Sequence, residues 1–254
     1  MEYSPANSSV HENDVCLHFT IIDSTNSWAK RNADNLDPKK LTLITANEQT
    51  GGRGRFQRRW HSPAGLNIYA TFCFFVSKLK ADSGNIALVM GITAAQALQE
   101  FGFQPKLKWP NDVLISGRKV AGILCETTQT AHGIAFIVGI GIDINMPKEH
   151  LEKIDQPATS LMIEADKEFS ISEVTNILHA KFKANLALFF DHGFQPFIDP
   201  YRDLGAYSVG QPLVFHLHTQ EWKGTFHKIE SDGTFSLKLP SGEIKTFSAG
   251  EISF

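Results

Sequence analysis

A chain of 254 residues, 42% hydrophobic and 20% charged, has enough apolar material for a sizeable core. Its formal net charge of -3 argues against a dedicated nucleic-acid binder, which is usually basic overall. No basic region followed by an apolar core opens the sequence and no apolar run approaches bilayer length, so neither a signal peptide nor a membrane span is expected.

Residues 1–14 are polar and read as a poorly ordered tail. Residues 17–22 are a short strand candidate, closed by Asp23-Ser24-Thr25-Asn26, whose small polar side chains suit a helix start. Trp28, Ala29 and Ala33 then fall in the short helix that follows. Apolar residues Leu41, Leu43 and Ile44 precede the string Gly51-Gly52-Arg53-Gly54-Arg55-Phe56-Gln57-Arg58-Arg59-Trp60. A long apolar run over 66–76 follows it, so the string reads as a loop between two strands. Glycine lets backbone approach an anion and arginine supplies fixed, planar donors for phosphate or carboxylate. Taken alone, such strings are also often disordered nucleic-acid-binding segments or plain solvated loops.

Ile86, Val89, Met90, Thr93, Ala94, Ala97 and Phe101 recur at helical spacing and predict an amphipathic helix over 84–101. Strands are expected over 106–109, 119–126 and 134–144. Ser170 and Glu173 make a capping-box pattern ahead of Val174, Leu178, Phe182, Leu186 and Phe189, a second helix. From about Val209 short β-prone runs alternate with the turns Ser231-Asp232-Gly233 and Pro240-Ser241-Gly242, which suggests a small β-barrel. Three cysteines (Cys16, Cys73, Cys125), an odd number without metal-ligand spacing, fit a reducing, cytoplasmic setting.

Three further strings carry chemistry. In Lys108-Trp109-Pro110-Asn111-Asp112 the proline restricts itself and Trp109 and so fixes how Asn111 and Asp112 are presented. An Asp there can hold Mg²⁺ or a ribose hydroxyl, or can simply belong to an Asn-Asp turn. Lys119 opens the apolar strand Val120-Ala121-Gly122-Ile123-Leu124, either as a charge stabiliser or as edge protection. Gly139-Ile140-Gly141-Ile142-Asp143 ends a strand with small residues against which a flat ligand could lie, or marks a bulge.

In this order and spacing the set resembles the biotin–protein ligase family, over about 16–254. Asp23-Ser24-Thr25-Asn26, the Gly-Arg-Gly-Arg…Trp60 loop, Lys-Trp-Pro-Asn-Asp, Lys-x-Ala-Gly-Ile-Leu, Gly-Ile-Gly-Ile and the terminal Gly250-Glu251-Ile252-Ser253 carry the resemblance. About 15 residues precede the matching part, which is similar to the monofunctional class without a helix-turn-helix domain. Two departures stand out: Gln57 replaces a loop glycine, and Asp143 stands where many members have Asn.

The resemblance implies an α+β fold: a mixed-sheet biotin/lipoate ligase-type catalytic domain over 15–205 and a small SH3-like β-barrel over 206–254. It implies ATP-dependent biotinylation of a carrier-protein lysine through biotinyl-5′-adenylate, with biotin and ATP as substrates and Mg²⁺ as cofactor. The implied partner is a biotin carboxyl carrier protein, with no nucleic acid and no membrane, and homodimerisation through a sheet edge is compatible with it. Lys119, Arg55 and Arg53 match the catalytic positions. Ser24, Thr25, Asn26, Gln49, Gly52, Arg53, Gly54, Arg55, Lys119 and Gly122 match the biotin positions. Arg53, Arg55, Arg58, Trp60, Asn111, Asp112, Lys119, Gly141 and Asp143 match the ATP positions, with Asp112 toward Mg²⁺. A lipoate or octanoate ligase or transferase of the same fold is the alternative. An unrelated nucleic-acid module using Arg53–Arg59 is a second one, against which the acidic balance counts.

Overall fold

The computed structural model describes residues 3–5, 14–217 and 219–253. Most of the expected tail, residues 1, 2 and 6–13, lies outside the described residues. Strands β1 (Tyr3–Pro5), β2 (Val15–Ile22), β3 (Thr42–Gln49), β4 (Ile68–Val76), β5 (Lys106–Lys108), β6 (Asp112–Ile115), β7 (Arg118–Thr130) and β8 (Gly133–Ile142) build one sheet. Its order is β1-β2-β3-β4-β8-β7-β6-β5. Only β2 and β3 run parallel, so the sheet is mixed. Helices α1 (Thr25–Asn32), α2 (Ile86–Gln99), α3 (Lys148–Leu151), α4 (Leu161–Ala165), α5 (Ile171–His192) and α6 (Ile198–Asp203) complete this part.

Strand alternation decides which side each helix covers. On β4, Ile68, Ala70, Phe72 and Phe74 join the large core under α2 and α5, where Phe72 meets Phe182 at 4.6 Å between ring centroids. Cys73, on the opposite face, joins Phe19, Ile22, Ala29, Ile44, Ala135 and Ile137 around α1. Since α1 is only 8 residues long, it covers part of that face and leaves the rest open. Sequence periodicity located α2, but its reading as amphipathic needs correcting. The helix is buried nearly all round, because α5 covers the side that a solvent-facing stripe would occupy.

Strands β9 (Pro212–Leu217), β10 (Gln220–Ile229), β11 (Phe235–Lys238), β12 (Ile244–Phe247) and β13 (Glu251–Ser253) form a five-stranded antiparallel sheet of order β12-β11-β10-β9-β13. Its apolar face packs on Trp109, which lies 5.9 Å from Phe215 and 5.6 Å from Phe235 and donates its indole N–H to Gly233 O at 3.1 Å. The Lys-Trp-Pro-Asn-Asp string therefore anchors the second sheet with its tryptophan while presenting Asn111 and Asp112 elsewhere.

Candidate functional site

The open part of the α1-bearing face is the floor of a cavity of about 920 Å³. Its walls are the loop after β3, residues 153–156 and 158 beyond α3, and Glu251 of β13. Of the residues singled out from sequence, Ser24, Thr25, Asn26, Gln49, Arg53, Gly54, Arg55, Arg58, Trp60, Asn111, Asp112, Lys119, Gly122, Gly141 and Asp143 all line it. Gly52 alone does not. It sits behind the wall, where an added Cβ would come within 2.6 Å of Ser62 Oγ and Trp60 O.

One end of the cavity is neutral and tightly bonded. Ser24 caps α1, accepting from Ser27 N, and so fixes the two residues after it at the cavity edge. Gln49, at the end of β3, accepts from the Thr25 backbone N–H at 2.9 Å and from its hydroxyl at 3.2 Å. The Gln49 amide donates to Ser62 Oγ at 3.0 Å. Thr71 bonds both Thr25 Oγ1 and Asn26 Oδ1, and Asn26 donates to Leu124 O at 3.0 Å. The side chains of Ser24, Thr25, Asn26, Gln49, Ser62 and Thr71 are all buried. Gly139 makes room for them, since any Cβ there would overlap the Asn26 amide.

The other end is charged, and three of its cations, Lys119, Arg53 and Arg58, rest on acids. Lys119 Nζ lies 2.7 Å from Asp112 Oδ1, both largely buried, and 5.4 Å from the Trp60 ring. Arg53 meets Glu126 at 2.5 Å, and Arg58 holds Glu251 with two bonds of 2.6 and 2.7 Å. Arg55 donates to Asn111 Oδ1 and to Gly250 O, tying the loop to the second sheet. Burial works to raise the Glu126 carboxyl, but hydrogen bonds from Arg53 and Asn26 prevail and hold it below the ordinary range. Burial lowers the Arg55 guanidinium. Lys119 is not edge protection, because β7 lies inside the sheet between β6 and β8.

The loop itself is a closed hairpin bridged between Arg53 and Arg59. Its tip places Phe56 (φ 52°) and Gln57 (φ 61°) in the left-handed region. Gln57 thus adopts the conformation that glycine takes freely, at a steric cost of about 1–2 kcal/mol. Trp60 returns the chain to the floor, where its indole lies so close over Gly141 that any Cβ there would overlap it. The next residue, His61, shares a 3.0 Å N···N contact with His150 of α3 and joins the loop to that wall. Burial first, and the His150 charge second, lower the His61 imidazole.

Sequence reasoning missed Thr71, Ser62, Asn67, Glu126 and Glu251. Thr71 carried a signal, being a polar residue in the otherwise apolar strand β4. Glu251 did not, being 193 residues from Arg58.

The described residues hold no group of three or more His, Cys, Asp or Glu that could cage a metal ion. Among them, no helix is long and apolar enough to cross a membrane.

Residues 18–145 match the biotin/lipoate A/B protein ligase family. The chain is 31% identical over 239 residues to the bifunctional ligase/repressor BirA of Salmonella typhimurium, covering 92% of this chain and 72% of that one. It is also 31% identical over 243 residues to the biotin–[acetyl-CoA-carboxylase] ligase of Paracoccus denitrificans, with 91% and 97% covered. A solved structure of biotin protein ligase from Aquifex aeolicus in complex with biotin and ATP superposes with a TM-score of 0.77 at 28% identity, covering 94% and 97%.

Proposed function

The chain belongs to the biotin/lipoate A/B protein ligase family, and from that premise we infer that it attaches biotin to a carrier-protein lysine at the expense of ATP. The observation that carries the reading is the division of one cavity into a neutral hydrogen-bonding end and a cationic end. Biotin's ureido ring is neutral and polar and suits the Ser24–Asn26 and Gln49 end. Its carboxylate and the triphosphate are anions and suit Lys119, Arg53, Arg55 and Arg58.

In the first step a biotin carboxylate oxygen bonds to the α-phosphorus while the bond to pyrophosphate breaks. Two anions must meet, so positive charge at the reacting centre is the chief requirement. Lys119, largely buried at the charged end, is the residue we assign to both carboxylate and α-phosphate. For these anions to bind, Arg53, Arg58 and Lys119 must exchange Glu126, Glu251 and Asp112 for them. In the second step the carrier's lysine amine bonds to the acyl carbon, the bond to AMP breaks, and the amine's extra proton passes to solvent. The Trp60 ring can lift and stack on the incoming purine, with Gly141 beneath it.

Asp112, beside Asn111, fits a Mg²⁺ held mainly by phosphates and water, which commonly needs only one protein carboxylate. When bound it would screen phosphate charge. The partner that follows is a biotin-accepting carrier domain, of which the biotin carboxyl carrier protein is the expected example. Three free cysteines accord with a cytoplasmic setting.

The test is to incubate the protein with biotin and MgATP and to seek biotinyl-adenylate by mass spectrometry, with lipoate in parallel. Bound biotinyl-adenylate is expected. An adenylate formed only from lipoate would move the chain to the other branch of the family.

A further inference from the structure

Glu126 joins the two ends of the cavity. Gly122 and Leu124 border it, and by strand alternation Glu126, two residues further along β7, faces the same side. Its Oε2 accepts from Asn26 Nδ2 of the neutral end at 3.3 Å and pairs with Arg53 Nη2 of the charged end at 2.5 Å. Its Oε1 lies 3.4 Å from Lys30 Nζ of α1. Biotin spans the same two ends, ring in one and carboxylate in the other, so its acyl carbon belongs where they meet. Arg53 leaves Glu126 when it takes up an anion, and a largely buried carboxylate then remains at that junction with an oxygen released.

We propose that Glu126 is the general base of the second step: it receives the ammonium of the acceptor lysine and takes the proton that keeps that nitrogen unreactive. This deepens the biotin–ATP reading and rests on it. The lysine arrives as an ammonium, and one N–H bond breaks as an O–H bond forms on Glu126. The free amine then bonds to the acyl carbon, and the electron pair of the acyl–phosphate bond leaves with AMP. The nitrogen sheds its second proton to solvent, and Glu126 gives up the first to solvent after the product has gone.

Of the three acids that arriving anions release, this one suits the task. Asp112 faces Lys119 and fits Mg²⁺, and Glu251 lies on β13 against Arg58. Glu126 already pairs with a lysine ammonium, that of Lys30, whose side chain is 48% exposed, so a primary ammonium reaches it from solvent. The same exchange adjusts its strength as a base. At rest burial pushes the carboxyl up, but hydrogen bonds from Arg53 and Asn26 outweigh it and hold the group below its ordinary range. Once Arg53 has gone, burial meets less opposition and the carboxylate takes a proton more readily. Among the described residues, Arg53 of the loop and Lys30 of α1 are the charged groups that act on it, while β8 sets apolar Ile137 opposite.

The experiment loads an excess of the full chain with biotinyl-adenylate and follows single-turnover acylation of two small nucleophiles from about pH 7 to about pH 9.5. Nα-acetyl-lysine amide presents an ammonium, and hydroxylamine is the uncharged control. With the native protein, acylation of the lysine amide should stay nearly level over this range, because the protein removes the proton. In Glu126→Gln it should fall about 10²-fold at about pH 7.5, a usual contribution of a general base. It should then climb about tenfold per pH unit toward the lysine's own pKa of about 10.4. Hydroxylamine should lose far less, which also shows that the variant is folded and holds the adenylate. A native lysine-amide rate that itself climbs about tenfold per pH unit overturns the proposal while leaving biotin ligation intact. An equal loss with both nucleophiles in Glu126→Gln does the same, since that is what a merely structural acid would give. Failure of the native protein to bind the adenylate would remove both. The native pH profile stands even if the variant does not fold.

Discussion

The two ends of the cavity solve opposite problems. At the Thr25–Gln49–Thr71 end the partners are buried and neutral, and they are bonded to one another before any ligand arrives. At the Lys119–Arg58 end the groups are charged and already paired with acids that ligand anions must replace. A preformed neutral pocket limits the ordering that binding must supply. A cationic pocket without counter-charges would repel itself, so the resting acids keep the arginines and the lysine together at the cost of an exchange on binding. Neutral recognition is thus built in, whereas charge recognition is conditional.

The sharpest way to break that contrast is Lys119→Ala. Adenylate formation should fall by at least ~10²-fold, the usual loss for one transition-state charge contact, with a smaller loss of biotin affinity from the missing carboxylate contact. Pyrophosphate exchange measures the first and calorimetry the second; near-normal exchange would remove Lys119 from the reaction. At the neutral end, Gln49→Ala strands the Thr25 N–H and Ser62 in a buried place. It should cost about 1–3 kcal/mol in thermal or denaturant unfolding, together with most of the biotin affinity. A variant as stable as the native chain would show that this network is not preformed.

Glu251→Gln tests the charged end more gently. The Arg58–Glu251 pair is mostly solvent-exposed, so stability should change by less than about 1 kcal/mol, and salt should erase the difference. Freed Arg58 should meanwhile bind triphosphate somewhat better at low salt. A large loss of stability would mean that the pair holds the two sheets together.

The smallest effect concerns His61 and His150, which share one hydrogen bond between two imidazoles. His61 is depressed, so the unfolded chain takes up its proton first as pH falls. The contact's contribution is therefore complete above the ordinary imidazole range and drains away as pH drops through it. Hydrogen exchange in residues 147–158 should rise below about pH 6, and should respond less to pH in His150→Gln.

Much of this was legible in the chain. The apolar run over 66–76 became β4, the Ser170 cap and its spacing became α5, and the glycine-arginine string did fall between two strands. Motif residues far apart in sequence line one cavity because β2, β3, β7 and β8 all end on it. What could not be read was the pairing. Nothing near Arg53 points to Glu126, nor near Arg58 to Glu251, because such partners are set by sheet order and not by local spacing. The burial of α2 on every side was hidden for the same reason: α5 arrives from 70 residues and more downstream.

The position of Trp60 has a practical consequence. Its indole lies on Gly141, its Nε1 is buried without a hydrogen-bond partner among the described residues, and Lys119 hovers over the ring. Any occupant of that floor has to shift the ring and change its surroundings, so the molecule carries its own optical gauge. Emission from Trp60, isolated by comparison with a Trp60→Phe protein, should report in real time when the nucleotide berth fills and empties.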